Sequence, residues 1–231
     1  MIEGKNILFI SNWSWEGAGE EAVIMEMLAG ANNIVWVSPF GSLNGNLLPD
    51  FKQVRVNLTI YRPGLNFIPL PALWRINDWR RLTQVIMFLL EKDFAPDLVW
   101  LGDPLARRFA GHFKRKEVPV IYYGSPEGTK VPRGEEEALA EAVDMLILSD
   151  RSQYTSFAES GKAELVEASD IFIENGEPYK KREPHKTGAG KEQKTTEADA
   201  EREKKLEEMF MDDLQERLQR ICKMIEGILS Q

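Results

Sequence analysis

Apolar residues fall along this chain in two alternating rhythms. Short β-branched runs come first: Lys5–Ser11 (KNILFIS), Asn33–Ser38 (NIVWVS), Val54–Ile60, Asp97–Leu101 (DLVWL), Val118–Tyr123 (VPVIYY), Asp144–Ser149 (DMLILS) and Ala163–Val166. Such short apolar runs read as strands buried on both faces. Between them lie stretches with helical spacing. Val23/Met27 and Ile24/Leu28 share the i, i+4 spacing of one buried face in a helix over Glu20–Ala29. Further helices are expected over Ile76–Phe94, Arg107–Lys116, Glu135–Ala142 and Ser152–Ser160. Strands alternating with helices predict an α/β domain, a doubly wound and mostly parallel sheet of about seven strands covered on both faces.

The pattern changes after Gly176. Residues 179–203 hold almost no large apolar side chain and are crowded with Lys, Glu, Thr and Gly. Such a stretch cannot bury enough surface to offset its ordering entropy, so it reads as a disordered linker. Residues 204–231 regain periodicity. Leu206, Phe210, Leu214, Leu218, Ile221, Cys222, Ile225 and Leu229 mark one apolar stripe on a long helix. The expected organisation is a domain over 1–178, a linker over 179–203 and an amphipathic C-terminal helix over 204–231. A stripe of that length needs a cover, either the domain's own surface or a partner chain.

Composition narrows the function classes. Net charge is −8, which argues against a nucleic-acid partner, since phosphate contact calls for a basic surface. No run approaches the roughly 18 apolar residues of a spanning helix, and the N-terminus lacks a signal-peptide layout. The single cysteine, Cys222, leaves no intrachain disulfide and no cysteine-based zinc site. These features imply a cytoplasmic, reducing environment. No Ser-His-Asp set, metal cluster or phosphate-binding loop can be assembled, so neither a cofactor nor a metal is expected. His112 reads as a surface or packing position, and His185 falls in the linker.

Three places carry candidate chemistry. The loop Asn12–Gly19 (NWSWEGAG) joins a strand end to a helix start, where α/β domains bind ligands, and Gly17 and Gly19 let a ligand approach the backbone. Glu20 and Glu21 at the helix start repel phosphate. The loop is then foremost a plain turn, next an acceptor-sugar site built from Asn12, Trp13, Trp15, Gly17 and Gly19 with a Trp ring as platform, and least favoured a phosphate site. Glu127, after the strand end at Tyr123, and Asp103, after the one at Leu101, are the candidate catalytic carboxylates. The plain alternatives are a solvated loop residue for Glu127 and a helix N-cap for Asp103. Tyr61–Arg81 (YRPGLNFIPLPALWRINDWRR) mixes aromatic and apolar groups with arginines. Phe67, Trp74, Arg75, Trp79 and Arg80 suit an anionic membrane surface, with a connection packed on the sheet as the alternative.

Several pieces taken in order resemble a known family. NILFISNWSWEG, NNIVWVSPF, PLPALWRIN, PDLVWLGDP, EALAEAVDMLILSDRS and the closing IENG are similar to the first domain of GT-B glycosyltransferases, family 4-like, of the bacterial cell-surface, teichuronic-acid type. The resemblance implies a Rossmann-like fold for most of residues 5–176 and a glycan or lipid-linked acceptor. It also implies peripheral attachment to the inner face of the membrane. A GT-B enzyme holds its sugar nucleotide mainly on a second nucleotide-fold domain, for which the residues after Gly176 leave no room. The family's closing helix, which crosses back to the first domain, resembles MDDLQERLQRICKMIEGIL. The expectation is an acceptor-side half-protein that needs a separate donor-domain protein. A non-catalytic accessory or scaffold is the second reading, and a small-molecule enzyme on a flavodoxin-like fold the least favoured.

Overall fold

The computed structural model describes residues 2–39, 48–64, 74–124, 133–148, 163–165 and 197–230. Among them, eight strands form one sheet: β1 Asn6–Ile10, β2 Asn33–Val37, β3 Asp50–Arg55, β4 Leu58–Arg62, β5 Leu98–Leu101, β6 Val120–Gly124, β7 Met145–Leu148 and β8 Ala163–Leu165. Their order is β3-β4-β2-β1-β5-β6-β7-β8. Every neighbouring pair is parallel except the antiparallel hairpin β3–β4. The helices are α1 Glu20–Leu28, α2 Trp74–Glu91, α3 Arg107–Lys114, α4 Arg133–Ala142 and α5 Glu197–Leu229.

Successive side chains on a strand point to opposite faces, and the strands divide their apolar residues accordingly. Ile7, Phe9, Ile34, Trp36, Leu98, Trp100, Ile121 and Ile147 enter one core, beneath α1 and α5. Leu8, Ile10, Val35, Val37, Val99, Leu101, Val120, Leu146 and Leu148 enter the other, beneath α2, α3 and α4. Both faces are covered, which is why the central strands read as unbroken apolar runs. The doubly wound architecture expected from the alternation is present.

Two elements differ from the sequence reading. The run Val54–Ile60 is not one strand but the turn of the β3–β4 hairpin, with Arg55 opposite Leu58. Its turn residues, Val56 and Asn57, carry none of the glycine chemistry that flags a tight hairpin. Val56 is strongly β-prone, yet it is 88% exposed. The long helix α5 begins at Glu197, inside the stretch assigned to the linker. Glu-Ala-Asp-Ala-Glu-Arg-Glu-Lys-Lys has no apolar stripe but is rich in strong helix formers, so propensity extends the helix where periodicity gives no signal. The expected helix Ser152–Ser160 lies outside the described residues, as do positions 179–196.

Helix α5 packs on the α1 side of the sheet. Leu214, Leu218, Ile221, Cys222 and Ile225 are all buried in the core shared with Ile2, Ile24, Met25 and Leu28. Burial raises the pKa of the Cys222 thiol. The expected stripe is thus covered by the domain itself from Leu214 to Ile225, with Phe210 and Leu229 partly buried against it; the Leu206 side chain lies outside the described residues.

Candidate functional site

In an open α/β sheet, the crevice for a ligand opens at the carboxyl ends of the strands where the strand order reverses. Here that point lies between β1 and β5. Beyond β1 comes Ser11, and beyond β5 come Gly102 and Asp103. The two ends are stitched together, because the Gly102 and Asp103 N–H groups both donate to the Ile10 carbonyl, at 2.8 and 3.1 Å. Ser11 Oγ donates to Glu21 Oε2 at 2.9 Å and accepts the Trp13 N–H at 3.0 Å. Gly102 is tightly enclosed: a Cβ there would stand 2.9 Å from Glu21 Oε1 and 3.0 Å from Phe9 Cζ, so a larger residue would push these side chains aside.

From the other face, Arg81 of α2 reaches the same place. Its guanidinium lies 2.5 Å from Asp103 Oδ2 and donates to the carbonyls of Ser11 at 2.7 Å and Ser38 at 3.5 Å. Asp103 Oδ1 accepts the Leu105 N–H at 2.9 Å. One cation therefore ties together the ends of β1, β2 and β5. Arg81 and Asp103 are both buried. With both oxygens engaged, the Asp103 carboxylate is suited to holding Arg81 and the turn before α3; it is not the helix N-cap expected from the sequence, a position that Ala106 takes. Glu127 lies outside the described residues.

A second network sits at the start of α1. Gly19, at φ +50, adopts a backbone conformation that L side chains rarely take. Glu20 Oε1 accepts the Tyr123 hydroxyl at 2.6 Å and Arg217 Nη1 of α5 at 2.9 Å, while Arg217 Nε donates to Asp213 Oδ2 at 3.0 Å. Burial, reinforced by the neighbouring Glu20 carboxylate, holds the Tyr123 phenol well above its ordinary pKa, so it is a neutral donor. Burial of Arg217 works against its charge, but Glu20, Tyr123 and Asp213 outweigh it and raise the pKa. The α1 N-terminus, the natural anion site of such folds, is therefore faced by the protein's own carboxylates, Glu20 and Glu21.

The loop Asn12–Gly19 contains a single 3-10 turn, Trp15–Gly17. Trp15 meets Trp36 edge to face, with ring centroids 5.0 Å apart. Trp36 in turn tilts against Phe9 at 4.6 Å. Trp15 is thus half-buried and built into the core, whereas Trp13 is 37% exposed beside the crevice. Asn12 is half-buried and Gly17 exposed. Glu16 pairs with Arg62 of β4, which fixes the loop to the sheet.

The expected membrane-facing residues fall on or before α2. Phe67 lies outside the described residues. Trp74 and Arg75 open the helix, with side chains outside the description. Trp79 is 56% exposed and, with Arg80, borders an open groove of about 890 Å³ that also holds Phe51, Tyr61, Met87 and Phe88. On the other flank of Trp79 is a groove of about 580 Å³ between α2 and α3. Among the described residues no helix is long and apolar enough to cross a membrane, and no cluster of His, Cys, Asp and Glu could hold a metal ion.

Sequence reasoning did not single out Arg81 or Arg217 as network members, nor Tyr123. The signal was present for the arginines. Arg81 precedes Val85 and Phe88 by four and seven residues, and Arg217 sits between Leu214 and Ile221 on the α5 stripe. Each is a charge on a face that must be buried, where it needs a partner.

No protein-family model matches the chain, and no curated protein matches it in sequence. Solved structures do. A sucrose-phosphate synthase from Thermosynechococcus elongatus aligns with a TM-score of 0.52 and 12% identity, over 71% of this chain and 88% of the other. A longer sucrose-phosphate synthase chain from the same organism aligns with a TM-score of 0.52 and 11% identity, over 72% of this chain. The present chain spans about half its length, 49%. At these identities the likeness is one of fold alone: the doubly wound α/β sheet is shared with these glycosyltransferase structures.

Proposed function

We propose that this chain is the acceptor-side part of a glycosyltransferase system for cell-surface polysaccharide, related to the family 4, teichuronic-acid type, and that sugar transfer needs a separate donor-binding chain. The observation that carries the reading is the return of α5 to the first domain. Only residues 166–196 separate β8 from α5, and Arg217 and the Leu214–Ile225 stripe seat the helix against α1 and the sheet. A second nucleotide fold cannot fit within that stretch, since domains run to at least about 50 residues.

The chemistry of the crevice agrees with this division. Glu20 and Glu21 at the α1 N-terminus disfavour a nucleotide phosphate, while carboxylates and an exposed Trp13 suit the hydroxyls and the apolar face of a sugar ring. The acceptor is a glycan or lipid-linked saccharide, met by Asn12, Trp13 and the backbone at Gly17 and Gly19. Glu127 is the carboxylate proposed as base. Trp79 and Arg80, with Phe67, Trp74 and Arg75, would rest on an anionic membrane at its inner face.

Calorimetry with nucleotide sugars tests the assignment. The lone chain is expected to give no binding heat, and a complex with a donor-domain protein to give it. Tight nucleotide-sugar binding by the lone chain would overturn the reading. A non-catalytic accessory role is the second reading, favoured by the commitment of both Asp103 oxygens to structural bonds. No transfer by any reconstituted pair would favour it.

A further inference from the structure

The groove between α2 and α3 carries a concentration of positive charge in a protein whose net charge is −8. Arg107, Arg108 and Arg115 line it, together with His112, Gly111 and the single carboxylate of Asp78. Arg108, Gly111, His112 and Arg115 follow an i, i+3, i+4, i+7 spacing, so they share one face of α3. Gathering like charges on one helical face costs stability, and here only one of the arginines has that cost relieved. Arg108 Nε lies 3.1 Å from Asp78 Oδ2. Arg107 and Arg115 are exposed and make no ion pair among the described residues.

Two further features belong to the lining of the groove. Gly111 lies in mid-helix, where glycine costs about 0.5–1 kcal/mol relative to alanine, yet a Cβ there would meet nothing within 4 Å. Packing does not require the glycine, and its absence of side chain leaves the helix backbone bare between the arginines. Next to it, His112 Nε2 is buried with no hydrogen-bond partner among the described residues. Burial, and after it the charges of Lys116 and Arg115, lower the His112 pKa.

The geometry points to a phosphate-binding site in this groove, in which Arg107 and Arg115 take the oxygens of a phosphomonoester or pyrophosphate group over the bare backbone at Gly111. Arginine suits the task because its planar fork of donors matches phosphate oxygens in pairs. The groove volume of about 580 Å³ admits more than a bare anion. Trp79 at its rim offers a ring to whatever the phosphate is attached to. The site is on the opposite side of the sheet from α5, away from the carboxylate-faced start of α1, and it does not depend on the sugar-transfer reading. The phosphate belongs either to a soluble ligand or to a lipid headgroup.

The full chain is titrated with inorganic pyrophosphate by calorimetry, and sedimented with phosphatidylcholine vesicles with and without phosphatidic acid. The Arg107→Glu/Arg115→Glu variant is compared with wild type, and with Lys205→Glu/Lys223→Glu, which makes the same charge change on exposed positions of α5. The groove variant is expected to lose at least about tenfold in affinity, as befits two charge-assisted contacts, while the α5 variant stays near wild type. Gly111→Leu, which adds bulk to the lining, is expected to weaken binding with unchanged circular dichroism. Pyrophosphate binding lost in the groove variant assigns a soluble phosphate. Binding only to phosphatidic acid vesicles, lost in the same variant, assigns a headgroup. No binding of either probe by wild type, or equal loss in both double variants, overturns the site.

Discussion

Arg217 of α5 and Glu20 of α1, 197 positions apart in the chain, meet at 2.9 Å with the Arg217 side chain only 5% exposed. The contact joins the last helix to the first and closes the domain on itself. Removing the guanidinium leaves Glu20 and Asp213 facing each other without a cation. Breaking a buried pair from one side costs about 3–5 kcal/mol, and Glu20 is partly exposed, so Arg217→Met is expected to lose about 2–3 kcal/mol. Urea denaturation of Arg217→Met, Glu20→Gln and the double variant measures it. Strict additivity of the two losses would show that the pair does not act as a unit.

Helix α5 is held along its second half. Leu218 is 2% and Ile221 1% exposed in the core beneath α1. Leu218→Ala should therefore cost about 2–5 kcal/mol, the range for deleting buried methyl groups in a core. Met209, 49% exposed one and a half turns before Leu214, should change stability by no more than about 0.5 kcal/mol when made alanine. Similar losses at both positions would mean that the helix does not dock as described.

How far the sequence alone reveals this fold differs between elements. The parallel core was legible because β1, β2, β5, β6 and β7 are buried on both faces, which forces unbroken apolar runs. The α5 stripe was legible for the matching reason on a helix. The β3–β4 hairpin was not, because β3 is an edge strand with most residues exposed and Val56-Asn57 lacks the glycine that marks a tight hairpin. At the crevice, strand-end loops and glycines could be placed by pattern. Two of the partners could not, since Arg81 and Arg217 arrive from helices distant in sequence. Nothing local distinguishes Arg81 from its neighbour Arg80; only its register on the buried face does.

Gly102 probes the tightness of the crevice. A methyl group there would stand 2.9 Å from Glu21 Oε1 and 3.0 Å from Phe9 Cζ. Glu21 is tied to Ser11 and Phe9 is wedged between Trp36 and Trp100, so neither can retreat freely. Gly102→Ala is expected to cost about 1–3 kcal/mol, the usual penalty of overpacking. A thermal midpoint equal to wild type would show that the Glu21 carboxylate swings away at no cost.

His112 links the stability of the protein to pH. Burial, aided by Lys116 and Arg115, holds its folded-state pKa below the ordinary value of 6.5. The unfolded chain then binds more protons than the folded one as pH falls. Stability from this group is complete above about pH 6.5 and declines as pH drops toward the folded-state pKa. Melts of wild type and His112→Gln between pH 7.5 and 5.5 should diverge, with the variant losing less on acidification. Parallel curves would assign the acid sensitivity elsewhere.

Asp103 and Arg81 bear most directly on whether the crevice holds a catalytic carboxylate. Their side chains are 12% and 7% exposed, and the arginine also bonds the carbonyls that end β1 and β2. If Asp103 acts by holding Arg81, its loss perturbs the shape of the crevice rather than removing a proton acceptor. Arg81→Met should then cost about 3–5 kcal/mol, because it strands a buried carboxylate and two carbonyls. Asp103→Asn keeps an oxygen for the Leu105 N–H and should cost less. In the double variant the stranded charge is gone, so its loss should fall clearly below the sum of the single losses. Urea denaturation of the three variants reads the coupling directly. A near-zero coupling would mean that Asp103 is free of Arg81 in solution, and would restore it as a candidate base.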